Sequence, residues 1–262
     1  MDDPGELQDR LAGATERLLA TAAGLTDGQA REPSLLPGWS RGHVLTHIAR
    51  NADGLRNLLI WARTGVVTPQ YPSRQARDDA IEAGSGRPAS DLVADLRGSA
   101  AAFSAEAAGL PAHCWQASVH GLRGSAHPAW YTLVRRLSEV EIHHVDMAAG
   151  YQPADWPGWF VASWLASVAA EFAGRPDAPA VRLAVTGAGD GGAWDGPDGA
   201  GGPDGAGGVG GPEYRIGPAA PGPQQTRISG PGWLLLAWLI GRSSGAGLTA
   251  DPAGPLPAVP AW

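Results

Sequence analysis

Apolar side chains recur every three or four positions through most of the first 175 residues, and that period commits this part of the chain to helices packed on one another. Leu7, Leu11, Ala14, Leu18 and Ala22 make the first stripe. Ser40 is an N-cap residue for a second helix, preceded by the turn Leu36-Pro37-Gly38-Trp39. Its stripe runs Val44, His47, Ile48, Asn51, Leu55, Leu58 and Leu59 and ends near Gly65. A linker through Pro69 and Pro72 leads to a short helical piece at about 74–83. Ser90 then caps a helix carrying Leu92, Leu96, Phe103 and Ala107. Pro128 suits the first turn of a further long helix over about 129–149. The last stripe holds Phe160, Trp164, Leu165, Val168 and Phe172. Four or five antiparallel helices joined by modest loops predict a bundle.

The texture changes after Gly174. Residues 181–185, 213–216 and 226–229 read as strands, and about 231–241 as a helix with Trp233, Leu234, Leu236 and Trp238. The expectation is a mainly α protein: a helical bundle over 1–176, then a small α+β domain over 177–262. A Gly/Asp/Pro-rich insert at 187–212 has almost nothing apolar to bury and predicts a mobile loop. Gly187-x-Gly189-x-x-Gly192 matches a dinucleotide fingerprint by spacing alone. The Asp-Gly-Pro-Asp-Gly-Ala sequence after it cannot open the helix that would hold a pyrophosphate.

Composition removes several classes of function. A net charge of −7 argues against a nucleic-acid partner. No apolar run of about 18 residues occurs, so no membrane span is expected, and the acidic N-terminus lacks a signal-peptide pattern. The expected location is the cytoplasm, as a monomer or weak homodimer. Every basic residue is arginine. Without lysine there is no Schiff-base chemistry and no Walker-type phosphate loop. Cys114 is the single cysteine, which rules out an intramolecular disulfide and a Cys-rich zinc cluster. His113 beside it could activate the thiol, although a half-buried loop thiol is the favoured reading of the pair.

Ligand-type side chains occupy two inward positions. His47 shares the stripe of Val44 and Ile48, while Glu139 and His143, four apart, project from one face of a single helix. Buried imidazole and carboxylate groups are costly unless paired or bound to a cation. Three N/O ligands from two helices with a fourth position open is a catalytic zinc arrangement. Periodicity leaves alternatives open. A His/Glu pair on one helix is often a surface pair, and His47 could be a core histidine bonded to a carbonyl. His43 and His47 are themselves four apart, and His144 adjoins His143, pointing about 100° away from it.

The segment from Leu36 to Asp53, with Trp39-Ser40 and His47 eight residues after the tryptophan, resembles the signature of the mycothiol-dependent maleylpyruvate isomerase family and the wider DinB-like superfamily. Glu139-Val140-Glu141-Ile142-His143-His144-Val145-Asp146 is similar to the family's Glu-x-x-x-His-x-x-Asp motif. Tyr71-Pro72-Ser73-Arg74-Gln75-Ala76-Arg77-Asp78 and Trp238-Leu239-Ile240-Gly241-Arg242 are also similar to family segments, and Pro255 to Pro260 resembles its Pro-containing tail loosely.

The resemblance implies a DinB-like bundle in which His47, Glu139 and His143 hold a divalent metal, with zinc expected. Mycothiol would bind there as the thiol cosubstrate, and a small-molecule substrate would be held by arginine. A thiolate would add to the double bond of an unsaturated keto-dicarboxylic acid such as maleylpyruvate. The adduct would rotate about the resulting single bond, and elimination would leave the trans isomer. Arg242 matches a functional arginine and is the expected catalytic carboxylate holder. Asp146, Arg50, Arg74, Arg77 and His144 are further candidates for orienting a ligand or holding substrate. Alternatives are a mycothiol S-transferase acting on an electrophile, a hydrolase using metal-bound water, and a non-catalytic regulatory or ligand-sensing bundle.

Overall fold

The computed structural model describes residues 3–122, 125–187, 211–218 and 225–262. They divide into two compact units, up to Tyr151 and from Gln152 onward.

The first unit holds α1 (Pro4–Ala23), α2 (Asp27–Arg31), α3 (Arg41–Thr64), α4 (Arg74–Ser85), α5 (Ala89–Ala108) and α6 (Tyr131–Asp146). A two-strand hairpin, β1 (Ser118–Val119) with β2 (His127–Pro128), comes before α6. The four long helices close a ring, α3 against α5, α5 against α1, α1 against α6 and α6 against α3, while α4 lies along α3. The first stripe is buried as its period requires, from Leu7 to Ala22. Ser40 caps α3, and Gly65 ends it at φ 71°, a left-handed conformation that glycine adopts at little cost.

Four hydrogen bonds from two arginines set the register of α3 on α6. At the start of α3, Arg41 donates from Nε to the Met147 carbonyl at 2.8 Å and from Nη2 to Ala148 at 2.9 Å, a cation on the last carbonyls of α6. Further along α3, the Ile48 carbonyl and Asn51 Oδ1 accept from the buried Arg136 at 2.7 and 2.9 Å. Advancing along α3 thus means retreating along α6. The helices run antiparallel, and His47 falls opposite the stretch between Arg136 and Met147. Close approach matters at the α3 start. A Cβ on Gly42 would lie 2.2 Å from the Ser85 carbonyl oxygen at the end of α4.

The second unit holds α7 (Gly158–Ala173), β3 (Val181–Val185), β4 (Glu213–Ile216), β5 (Thr226–Gly230), α8 (Gly232–Leu239) and β6 (Thr249–Asp251). Its sheet has the order β4-β3-β5-β6, with β3 and β5 parallel and the outer pairs antiparallel. The apolar faces of α7 and α8 pack together, α7 also covering β4.

The mainly helical expectation holds, with several local differences. The domain boundary expected at 176/177 falls at 151/152, because α7 buries its stripe on β4 and α8. Ser90 does not cap α5. Pro88, extended at ψ 147°, sets the boundary, and Asp27 accepts the Ala89 N–H at 2.8 Å. Pro128 belongs to β2, and α6 starts at Tyr131. The three-residue β6 is too short to carry a period in sequence. The insert expected over 187–212 and its dinucleotide-like spacing fall almost entirely outside the described residues. No helix among the described residues is long and apolar enough to cross a membrane.

Candidate metal centre

The register brings His47 of α3 against Glu139 and His143 of α6. His47 Nε2 lies 3.0 Å from Glu139 Oε2 and 3.1 Å from His143 Nε2, and His143 Nε2 lies 3.2 Å from the same carboxylate oxygen. Three donor atoms thus form a nearly equilateral triangle. Tetrahedral ligands at about 2.0–2.1 Å from a zinc ion stand roughly 3.3–3.4 Å apart, so the triangle needs only slight expansion to take a cation. The group is a possible metal-binding triad.

Electrostatics support that reading of the cluster. Burial works to raise the Glu139 carboxyl, but hydrogen bonds with His143 and His47 outweigh it and hold the group well below its ordinary value. Burial also disfavours charge on His143, yet the Asp146 and Glu139 hydrogen bonds raise it to about 9. Burial wins at His47, whose pKa is lowered against the opposing hydrogen bond to Glu139. A proton on His143 therefore partly offsets the carboxylates at a point where a divalent cation would do so more fully.

The neighbours orient these groups. Asp146 is fully buried, and its Oδ2 accepts from His143 Nδ1 at 2.8 Å, leaving Nε2 facing the centre. Arg77 Nη2 donates to His47 Nδ1 at 3.1 Å. Guanidinium only donates, so Nδ1 accepts and neutral His47 carries its proton on Nε2, toward Glu139. A cation held by Nε2 would need the opposite tautomer, and Arg77 would then have to release Nδ1. The Trp39 ring stands edge-on to His47, centroids 5.5 Å apart.

A cavity of about 270 Å³ opens on one side of the triad, lined by His47 and Glu139 together with Asn51, Gln70, Tyr71, Leu122 and three arginines, Arg74, Arg77 and Arg135. Two of the expected arginines, Arg74 and Arg77, are thus at the site. Arg50 is not; it pairs with Asp95 of α5 at 2.5 Å and with Asp53 at 3.2 Å. His144 faces α1 instead, bonded to Thr21 Oγ1 at 2.8 Å and stacked on Tyr151. His43 belongs to the α3 cap, its Nδ1 accepting the Ser40 N–H at 3.1 Å. Arg242 follows α8 in the second unit, where Nη1 donates to the Ile240 carbonyl at 2.7 Å. Cys114 is buried, 3.4 Å from His113 Nε2, and is absent from the cavity lining.

Two features were missed in sequence. Arg135 precedes Glu139 by four residues on the same helix face, a spacing that could have flagged it. Buried Glu141 accepts from Arg17 and from the Tyr151 hydroxyl, each at 2.7 Å, and nothing local announces that cluster.

The fold and the triad together define a helical bundle with a possible metal-binding centre between two of its helices. The family model described as Mycothiol maleylpyruvate isomerase N-terminal domain matches residues 11–148, more than half of the chain, and the chain belongs to that family. Similar solved structures include a crystal structure of the mycothiol-dependent maleylpyruvate isomerase, with TM-score 0.81, and one of a histidine-to-alanine mutant of it, with TM-score 0.80. Each is 25% identical, and each match covers 100% of this chain and 98% of the other. No curated protein matches the chain.

Proposed function

We propose that this protein is a metal- and mycothiol-dependent isomerase, converting a cis-unsaturated keto-dicarboxylic acid such as maleylpyruvate to its trans isomer. The observation that carries the reading is the triangle of His47 Nε2, Glu139 Oε2 and His143 Nε2 at the wall of an arginine-lined cavity. Membership of the family supports the thiol and the reaction type.

His47, Glu139 and His143 would hold the cation; two imidazoles and a carboxylate suit zinc and other divalent ions. Such a cation, with one position open, lowers the pKa of a bound thiol and supplies a thiolate near neutral pH. Asp146 keeps the His143 Nδ1 proton, so the lone pair on Nε2 stays aimed at the centre. Arg74 and Arg77 present cationic donors to an anionic substrate, and Tyr71 and Asn51 supply polar groups beside the triad. The family resemblance adds Arg242 as a carboxylate holder.

The test joins elemental analysis to a thiol-dependence assay on maleylpyruvate. Stoichiometric divalent metal, absent from His47→Ala, and isomerisation that needs mycothiol without consuming it are expected. Consumption of thiol as a conjugate would instead make the protein an S-transferase. A metal-free wild type purified without chelators would remove the basis of the reading.

A further inference from the structure

Arg135, Glu139 and His143 follow one another at intervals of four on α6, so they share one helix face. Four residues of helix rise about 6 Å, which sets Arg135 one turn before Glu139 along the wall of the same cavity.

Arg135 is unusual in its surroundings. Its Nη1 is buried with no hydrogen-bond partner, and no ion pair engages the side chain among the described residues. The loop beyond β1 lies directly on it. A Cβ on Gly121 would meet Arg135 Nη1 at 2.5 Å and Gln70 Oε1 at 2.6 Å, so the loop covers that end of the guanidinium. Gln70 is itself buried and anchors the loop, its Oε1 accepting from the Leu122 N–H at 3.1 Å. Arg135 lines the cavity while no anion of the described residues pairs with it, which leaves the remainder of the guanidinium for an acceptor that is not part of the protein.

The charge balance of the cavity gives the class of that acceptor. Among the described residues Glu139 is the one carboxylate in the lining, and it belongs to the triad, against three guanidinium groups. Arg77 is engaged by His47 and Asp78. Arg74 and Arg135 make no ion pair among the described residues. Two free cations call for two negative charges. A cavity of about 270 Å³ is at the small end for ligand sites, which favours a short organic acid over a nucleotide.

We propose that Arg135 binds the carboxylate of the substrate farther from the triad, and so selects a short dicarboxylate over a monocarboxylate. The assignment rests on the isomerase reading, and it names a residue that reading does not require. The helix rise of about 6 Å between Arg135 and Glu139 is comparable to the length of a four- to six-carbon diacid.

The test is calorimetric binding of saturated acids, which have no double bond to react, to the protein as purified with its metal. Succinate, glutarate and adipate are compared with propionate. Wild type is expected to bind at least one diacid about ten-fold tighter than propionate. Arg135→Gln should erase that preference with metal content and melting temperature unchanged, and Arg135→Lys should retain part of it. Wild type without a diacid preference, or Arg135→Gln with the preference intact, overturns the proposal. Should Arg135→Gln fail to fold, Arg135→Lys decides, because a fork-dependent site weakens with lysine and a structural one does not. An Arg135-dependent preference in a protein that fails to isomerise maleylpyruvate would sink the isomerase reading alone.

Discussion

Asp146 accepts the Nδ1 proton of His143 at 2.8 Å, three residues away on the same helix, and does so from a fully buried position. The contact fixes the ring and its tautomer before any cation arrives. Outer partners of this kind are worth about 10–100-fold in metal affinity. Asp146→Asn keeps the shape and loses the charge, so a loss of about 10-fold is expected, with a larger one for Asp146→Ala. Competition against a chelator of known affinity measures it; equal affinity for the three proteins would show the contact to be incidental.

Arg77 acts in the other direction. Its bond to His47 Nδ1 favours the tautomer that cannot ligate metal through Nε2, and its charge opposes a cation nearby. Removing it as Arg77→Met relieves a competing hydrogen bond of about 1 kcal/mol, several-fold in metal affinity. The same titration checks the sign. Weaker binding by Arg77→Met would mean that Arg77 supports the loaded site.

Metal binding should depend on pH through one proton. In the metal-free protein His143 is raised to about 9, so below that pH a cation must displace its proton. His47 is lowered from 6.5 and Glu139 lies well below its usual value, so both are already deprotonated at neutral pH. Affinity is therefore expected to rise about ten-fold per pH unit from 7 and to level off above about 9. Linkage gives the matching sign for the metal-free fold. Stability contributed by the raised His143 pKa is present below 6.5 and lost as pH climbs through about 9. A flat affinity profile between pH 7 and 9 would contradict the proton assignment.

Gly42→Ala tests the packing that seats the helix carrying His47. Alanine in a helix is worth about 1 kcal/mol over glycine. The added Cβ, however, would lie 2.2 Å from the Ser85 carbonyl, a backbone atom that no rotamer change can move. Overpacking of this kind costs about 1–3 kcal/mol, so net destabilisation is expected in urea unfolding. A more stable variant would mean that the end of α4 yields easily.

Arg242→Ala is expected to impair turnover of maleylpyruvate while metal content stays at the wild-type level. Unchanged kinetics would take Arg242 out of the reaction and leave substrate binding to the arginines of the first unit.

Much of the site was legible because it is written in helical spacing. His47 stood out as a polar residue in an apolar stripe, and Glu139 with His143 stood out as a pair four apart. Spacing could not separate His43 from His47. The structure does so by using His43 in the cap with Ser40, which turns it away from α6. Nor could it rank the arginines. Arg50 meets Asp95 only because α5 packs on α3, whereas Arg135 makes no ion pair among the described residues.

What the sequence determined by itself was local: the helix positions, the Ser40 cap, the strands at 181–185 and 213–216, and which ligand-type residues face inward. These depend on neighbours within a turn or two, where period and sterics decide. The meeting of α3 with α6, the release of α7 to the second unit, and the arginines that the cavity collects were decided by tertiary structure. Each depends on which surfaces, distant in sequence, find their complement once the helices pack.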